Sequence, residues 1–130
     1  MGMRLPDFHL DEAKYSLPRR LVTSVLRQLA TVIPADSEAE RGEIWLDVCE
    51  QFHALQPRDA AEAALVARAI AANLAAADCL ARAARRGLSD DTAMRLRATA
   101  IASNRLATAA LRALARGRPA DCGGKRKRSG

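Results

Sequence analysis

Aromatic side chains are scarce in this chain of 130 residues, of which they make up only 3%. The four aromatic residues, Phe8, Tyr15, Trp45 and Phe52, all lie in the first half of the sequence. Much of the hydrophobic fraction of 49% is alanine instead. The sequence therefore predicts one domain, in which bulky N-terminal side chains cover a closely packed alanine seam.

Cysteine is rare too, and Cys49, Cys79 and Cys122 are too few and odd in number for a disulfide framework. This count favours a reducing compartment. Residues 1–10 contain no apolar stretch typical of a secretory signal, and no run approaches the roughly 18 uninterrupted apolar residues that span a bilayer. We therefore expect a cytoplasmic protein that does not contact a membrane.

Charge is distributed unequally between the two halves of the chain. Residues 1–56 carry 6 basic and 9 acidic side chains, a net charge of −3. Residues 57–130 carry 15 basic and 6 acidic side chains, a net charge of +9. This asymmetry indicates either a polyanionic partner or N-terminal helices that dock electrostatically on the basic half.

Capping signals divide the basic half into two long helices. Asp59 and Glu62 are spaced to cap a helix that runs to the Arg85-Arg86-Gly87 stop. Ser89 and the two aspartates after it begin a second helix, which ends at Gly117. The sequence thus predicts a long antiparallel helical hairpin.

Two shorter helices are expected before the hairpin. The first begins near Ser16-Leu17-Pro18 and ends before Pro34, and the second follows the Ser37-x-x-Glu40 capping box and ends at Gln56. Residues 1–15 show no period, and residues 118–130 are rich in Pro, Gly and charge, which is typical of disorder. We therefore expect an all-α fold of four helices, with one helical domain at residues 16–117.

Small and apolar residues repeat by four and three positions along the fourth helix. They predict a seam against the third helix that comprises Leu96, Ala100, Ser103, Ala107, Ala110 and Leu114. The matching face of the third helix comprises Val66, Ile70, Leu74, Ala77 and Ala81. Asn73 is the polar residue near the centre of that face. It either sets the register by contacting Ser103, Asn104 or a second chain, or it bonds to local backbone.

The hairpin resembles a group of short, uncharacterised bacterial helical proteins, some of which occur near phage-derived sequence. The resemblance rests on residues 57–63 (PRDAAEA), residues 75–83 (AAADCLARA) and residues 113–117 (ALARG). Members of the group often have His-Glu where this chain has Asn73-Leu74, and many have a longer polar tail. The resemblance covers residues 57–117 and implies the hairpin, without an activity.

Catalytic and metal-binding patterns are weak in this sequence. Cys49 and His53 share a helix face, but two ligands make half a metal site, and we interpret them as a buried cysteine beside a helix-end histidine. No nucleophile, base and acid set is apparent, and Gly123-Gly124-Lys125 lacks the rest of a phosphate loop. We therefore expect no enzyme activity, cofactor, metal or small-molecule substrate.

Arginine and lysine form the sharpest chemical feature. The predicted nucleic-acid contacts are Arg97, Arg105, Arg112 and Arg116 on the outer side of the fourth helix, with Lys125, Arg126, Lys127 and Arg128 in the tail. Such cations bind phosphates without reading bases. Against this hypothesis, the basic half lacks aromatic residues that stack on bases, and a basic tail also serves solubility alone.

Two functions follow as hypotheses. The first is a non-enzymatic helical interaction module, which binds a protein partner or pairs two hairpins into a homodimer. The alternative is a nucleic-acid accessory protein that binds phosphates through the tail and the outer arginines.

Overall fold

The computed structural model describes residues 17–118, and this part of the chain forms four α-helices and no β-strand. The helices are α1 (Arg19–Ala30), α2 (Glu38–Leu55), α3 (Ala60–Ala83) and α4 (Asp90–Arg116). The predicted all-α fold with four helices is confirmed. The predicted N-terminal segment 1–15 and the basic run at residues 125–128 lie outside the described residues.

Side-chain caps begin three of the four helices. In each, a side-chain oxygen accepts the main-chain N–H three residues later: Ser37 from Glu40 at 3.1 Å, Asp59 from Glu62 at 2.8 Å, and Ser89 from Thr92 at 3.2 Å. Each bond satisfies a donor that the first helical turn leaves unpaired. The caps expected from the sequence are therefore the ones that form.

The ends of α2 and α3 depend on two residues with positive φ. Gln56 lies after α2 with φ of 43°, and the buried Pro57 follows and prevents the helix from continuing. After α3, Gly87 adopts φ of 87°, a conformation that glycine reaches without steric strain. The α3 helix itself ends at Ala83, two residues before the expected Arg85.

The α3 helix is the centre of the domain. The α4 helix packs antiparallel along it, and α1 and α2 pack on α3 and on each other. Within residues 17–118, the backbone of α4 approaches no helix other than α3. The first two helices therefore pack on α3 and on each other.

The largest buried side chains lie where α1, α2 and the first half of α3 meet. Phe52, Ile70, Val22, Val48 and Val66 are each less than 2% exposed or close to it. Burial of each such side chain contributes about 1.5–3 kcal/mol to folding. Trp45 and Phe52 of α2 and Leu114 of α4 belong to this cluster, whereas the alanines of the seam, which the bulky N-terminal side chains were expected to cover, do not.

The predicted apolar face of α3 is only half right. Val66 and Ile70 are buried and Leu74 is half-buried, but Ala77 and Ala81 are exposed. The buried residues in the second half of α3 are Ala72, Ala76 and Ala83. The residues of α3 that belong to the cluster with α1 and α2, or pack against it, end at Leu74, and the alanines buried beyond it lie outside that cluster.

Asn73 is exposed and does not belong to the buried seam between α3 and α4. It follows Val66 by seven residues, so it continues the same side of α3 past the segment that α1 and α2 cover. Its assignment to the seam of the hairpin is therefore wrong, because that side of α3 faces solvent at this level. A contact of Asn73 with a second chain stays a prediction.

Candidate interaction surfaces

The seam between α3 and α4 is built from small residues. On α4, Ala100, Ala107, Ala110 and Leu114 are buried, and Leu96 and Ser103 are half-buried. On α3, the buried residues Ala69, Ala76 and Ala83 are each one heptad apart. Small side chains let two helix backbones approach closely. The residues predicted on α4 are thus occupied within the chain and are not a free surface.

The side of α4 that faces away from α3 is basic and partly apolar. We call this surface the α4 outer face, and its exposed residues are Met94, Arg97, Ile101, Arg105, Arg112 and Arg116. No acidic residue follows Asp91 in α4. Within residues 17–118, these four arginines therefore form no ion pair, and their charge faces solvent.

An open groove of about 410 Å³ lies on the α4 outer face. Its lining includes Ile101 and Ala109, with the guanidinium groups of Arg105 and Arg112 beside them. These arginines are one heptad apart, which is about 10.5 Å along a helix axis at 1.5 Å per residue. Asn104 and Thr108 complete the lining, so the groove combines apolar and polar side chains with two cations that can each bind an oxyanion through paired N–H groups.

A second basic surface, on α1, was missed by the sequence analysis. Arg19, Arg20 and Arg27 line a groove of about 560 Å³ together with Thr23, Ser24 and Gln28. These arginines form no ion pair within residues 17–118, and α1 contains no acidic residue. The spacing of Arg20 and Arg27, one heptad apart in a helix without acids, was the available signal.

The exposed side of α2 is acidic. We call it the α2 acidic stripe, and its residues are Glu40, Glu43, Asp47 and Glu50, with Leu46 beside them. The spacing of three, four and three residues places these carboxylates on one side of the helix. Across residues 17–118, Glu43, Asp47 and Glu50 form no ion pair. The stripe therefore points to solvent.

Electrostatic docking of the N-terminal helices on the hairpin is not what holds this domain together. In the described part of the chain, one ion pair crosses from residues 1–56 to the basic half, between Arg85 and Asp36 at 3.3 Å. Their side chains are 58% and 82% exposed, and such a surface pair contributes about 0–1 kcal/mol. The helices dock mainly through the apolar contacts of the core cluster.

One buried carboxylate joins three helix ends, and we call Arg58, Glu62 and Arg118 the Glu62 cluster. The Glu62 side chain is 9% exposed and accepts from Arg58 Nη2 at 2.7 Å and from Arg118 Nη2 at 3.2 Å. The hydrogen bonds from Arg58 lower the pKa of the Glu62 carboxyl to about 2, although burial raises it. Arg118, which the sequence placed in the tail, therefore belongs to the folded domain.

Cys49 lies inside the core, with 2% of its surface exposed. Burial raises the pKa of its thiol to about 12, so the metal-binding thiolate is disfavoured at neutral pH. Among residues 17–118 there is no group of three or more His, Cys, Asp or Glu side chains that could hold a metal ion. The pair of Cys49 and His53 is thus not extended into a larger ligand set within this part of the chain.

The α3 helix is long and apolar enough to cross a membrane by length and composition, with a mean hydropathy of 1.5. The core helix of a soluble protein passes the same test but is mostly buried, whereas 28% of the apolar window of α3 is buried. A cytoplasmic location remains a prediction.

Comparison of this chain with protein-family models, curated proteins and solved structures found no match. The resemblance of residues 57–117 to uncharacterised bacterial proteins therefore remains a prediction.

Proposed function

We propose that this protein is a non-enzymatic helical interaction module whose binding surface is the α4 outer face. The observation that carries this proposal is that α4 packs on α3 alone, which leaves its opposite side uncovered. Met94 and Ile101 on that side are 66% and 54% exposed, next to four arginines. Arginine and exposed apolar side chains together are typical of protein contact surfaces.

The charge of the α4 outer face specifies the chemistry of the partner. In a symmetric dimer that pairs two α4 outer faces, Arg105 and Arg112 of one copy would lie close to the same two arginines of the other copy. Their like charges would repel. A partner helix with carboxylates around an apolar side chain avoids this repulsion. Its carboxylates can form paired hydrogen bonds with the guanidinium groups, and its apolar residue can cover Ile101.

A labelled helical peptide tests this proposal, with two glutamates one heptad apart around a leucine. Fluorescence anisotropy should show saturable binding to the full chain. The double variant Arg105→Glu, Arg112→Glu should weaken binding at least about tenfold, because it reverses two of the contacting charges. The control is Arg95→Glu, since Arg95 pairs with Asp91 and lies off this face. Equal binding by wild type and the double variant would remove the α4 outer face as the binding surface.

Phosphate binding is the second candidate, and the free arginines on both α4 and α1 favour it. A polyanion needs cations without neighbouring acids, and both surfaces meet that condition. The prediction that the tail takes part concerns residues outside the described range. The partner would then be a nucleic acid, bound without strong sequence preference.

Mobility shifts of duplex DNA and RNA at low and moderate salt separate the two candidates. Affinity for duplex DNA should fall with salt with a slope near −0.9 per phosphate contact. A chain that ends at Gly117 tests the tail, and Arg105→Ala with Arg112→Ala tests α4. No shift of either nucleic acid by the full chain at low salt would exclude this function.

A further inference from the structure

We propose that the occupant of the α4 outer face is the α2 acidic stripe of a second copy of this chain. This inference rests on the function proposed above and names the partner of the same surface. The protein would then associate with itself head to tail, through two different surfaces on each copy.

The two surfaces carry opposite charge. The α2 helix carries five acidic residues and one arginine, a net charge of −4, and its acidic stripe faces solvent. The α4 outer face carries four arginines and no acidic residue, a charge of +4. Because neither surface is neutralised by an ion pair within residues 17–118, their contact between copies would form charge-assisted hydrogen bonds.

The two surfaces also have matching dimensions. Glu43 and Glu50 are one heptad apart, as are Arg105 and Arg112, so both pairs are separated by about 10.5 Å along their helices. Each pair also has an exposed apolar neighbour, because Leu46 is 49% exposed and Ile101 is 54% exposed. Two helices laid side by side can therefore satisfy two charge pairs and cover both apolar side chains.

The position of α3 explains why the contact forms between copies. The α2 and α4 helices both pack on α3, and their backbones do not approach each other. The acidic stripe of α2 also faces solvent, so it does not reach the α4 outer face of its own chain. Contact between two different surfaces repeats from copy to copy, which produces a closed ring or an open chain.

Charge reversal on one surface at a time provides the test. The first variant is Glu43→Arg with Glu50→Arg, and the second is Arg105→Glu with Arg112→Glu. Sedimentation velocity at low salt should show wild type associating, and each variant alone should associate at least about tenfold more weakly because like charges then meet. An equal mixture of the two variants should recover association, since reversed α2 then meets reversed α4.

The control is Arg95→Glu, a single charge reversal on α4 outside the α4 outer face, which should leave association unchanged. Circular dichroism of every variant confirms that it is folded. Association of wild type should also weaken several-fold as salt rises from about 50 to 500 mM, because exposed ion pairs are screened.

Three results would overturn this inference. The first is a wild-type monomer at about 100 μM and low salt, a concentration that populates contacts of modest affinity. The second is undiminished self-association of the Glu43→Arg, Glu50→Arg variant, which would indicate symmetric hairpin pairing. The third is a mixture of the two folded variants that stays monomeric. Binding of the acidic peptide would, in each case, still report separately on the proposed function.

Discussion

The guanidinium of Arg118 donates to the carboxylate of Glu62 at 3.2 Å, although 56 residues separate them in the sequence. The same nitrogen donates to the main-chain oxygen of Leu55 at 2.6 Å. Leu55 ends α2, Glu62 lies in the first turn of α3, and Arg118 follows α4. One side chain therefore fastens three helix ends together.

Replacement of Arg118 by alanine should destabilise the domain by about 1–3 kcal/mol, because it leaves a buried carboxylate and two carbonyl groups with fewer donors. Urea unfolding followed by circular dichroism measures this loss. Arg116→Ala is the control, since Arg116 is exposed and its removal should change the free energy of unfolding by less than about 0.5 kcal/mol. Equal stability of the two variants would show that the contact of Arg118 with Glu62 does not contribute.

Acid should weaken the domain partly through Glu62. The pKa of its carboxyl is about 2 in the folded chain against an ordinary value of 4.5, so the folded state binds fewer protons between these values. Its stabilising contribution is therefore complete above about pH 5 and is lost as the pH falls toward 2. The difference in unfolding free energy between wild type and Glu62→Gln should shrink over this range, as measured by urea unfolding. A difference that stays constant from pH 5 to pH 2.5 would contradict the lowered pKa.

The alanine seam should resist larger side chains. Ala107→Leu places three extra carbon atoms where Ala107 is 3% exposed, and such overpacking costs about 1–3 kcal/mol. Ala98→Leu is the matched control on the exposed side of α4 and should change stability little. Thermal unfolding compares the two. If the Ala107→Leu variant unfolds at the same temperature as wild type, Ala107 does not lie in the seam between α3 and α4.

Thiol chemistry should distinguish the cysteines of α2 and α3. Cys49 is buried and its thiol pKa is raised to about 12, so little reactive thiolate forms at neutral pH. Cys79 is only partly buried. In a Cys122→Ser background, a maleimide should modify Cys79 first and Cys49 only after a denaturant is added, as mass spectrometry of tryptic peptides would show. Rapid modification of Cys49 in the native chain would contradict its burial.

Local signals were sufficient to predict the helices. The caps at Ser37, Asp59 and Ser89 involve side chains and backbone groups three residues apart, so their chemistry is visible in a short window of sequence. The seam on α4 was also predictable, because its leucines and alanines alternate with arginines. Where apolar and charged residues lie on clearly different sides of a helix, as in α4, the sequence predicts which side of the helix is buried.

The faces of α3 and the neighbours of Arg118 were not predictable in the same way. Alanine occupies most sides of α3, and its small apolar surface does not mark which side another helix will cover. Asn73 and Ala77 are exposed although each follows a buried residue, Val66 or Ile70, by one heptad, because the cluster with α1 and α2 includes no α3 residue beyond Leu74, which is a property of the assembled domain. Arg118 was assigned to the tail because its partners lie 56 to 63 residues earlier in the sequence.

The Glu62 cluster also bears on the order in which the chain folds. The α3 and α4 helices are consecutive, so their seam forms with a short loop closure, and domains rich in such local contacts fold rapidly. The bond from Arg118 to Leu55 closes a much longer loop and is expected to form after the rate-limiting step. Loss of Arg118 should then accelerate unfolding and leave the folding rate nearly unchanged, which stopped-flow measurements in urea can resolve. The Glu62 cluster would thus slow the unfolding of the domain without affecting how fast the domain folds.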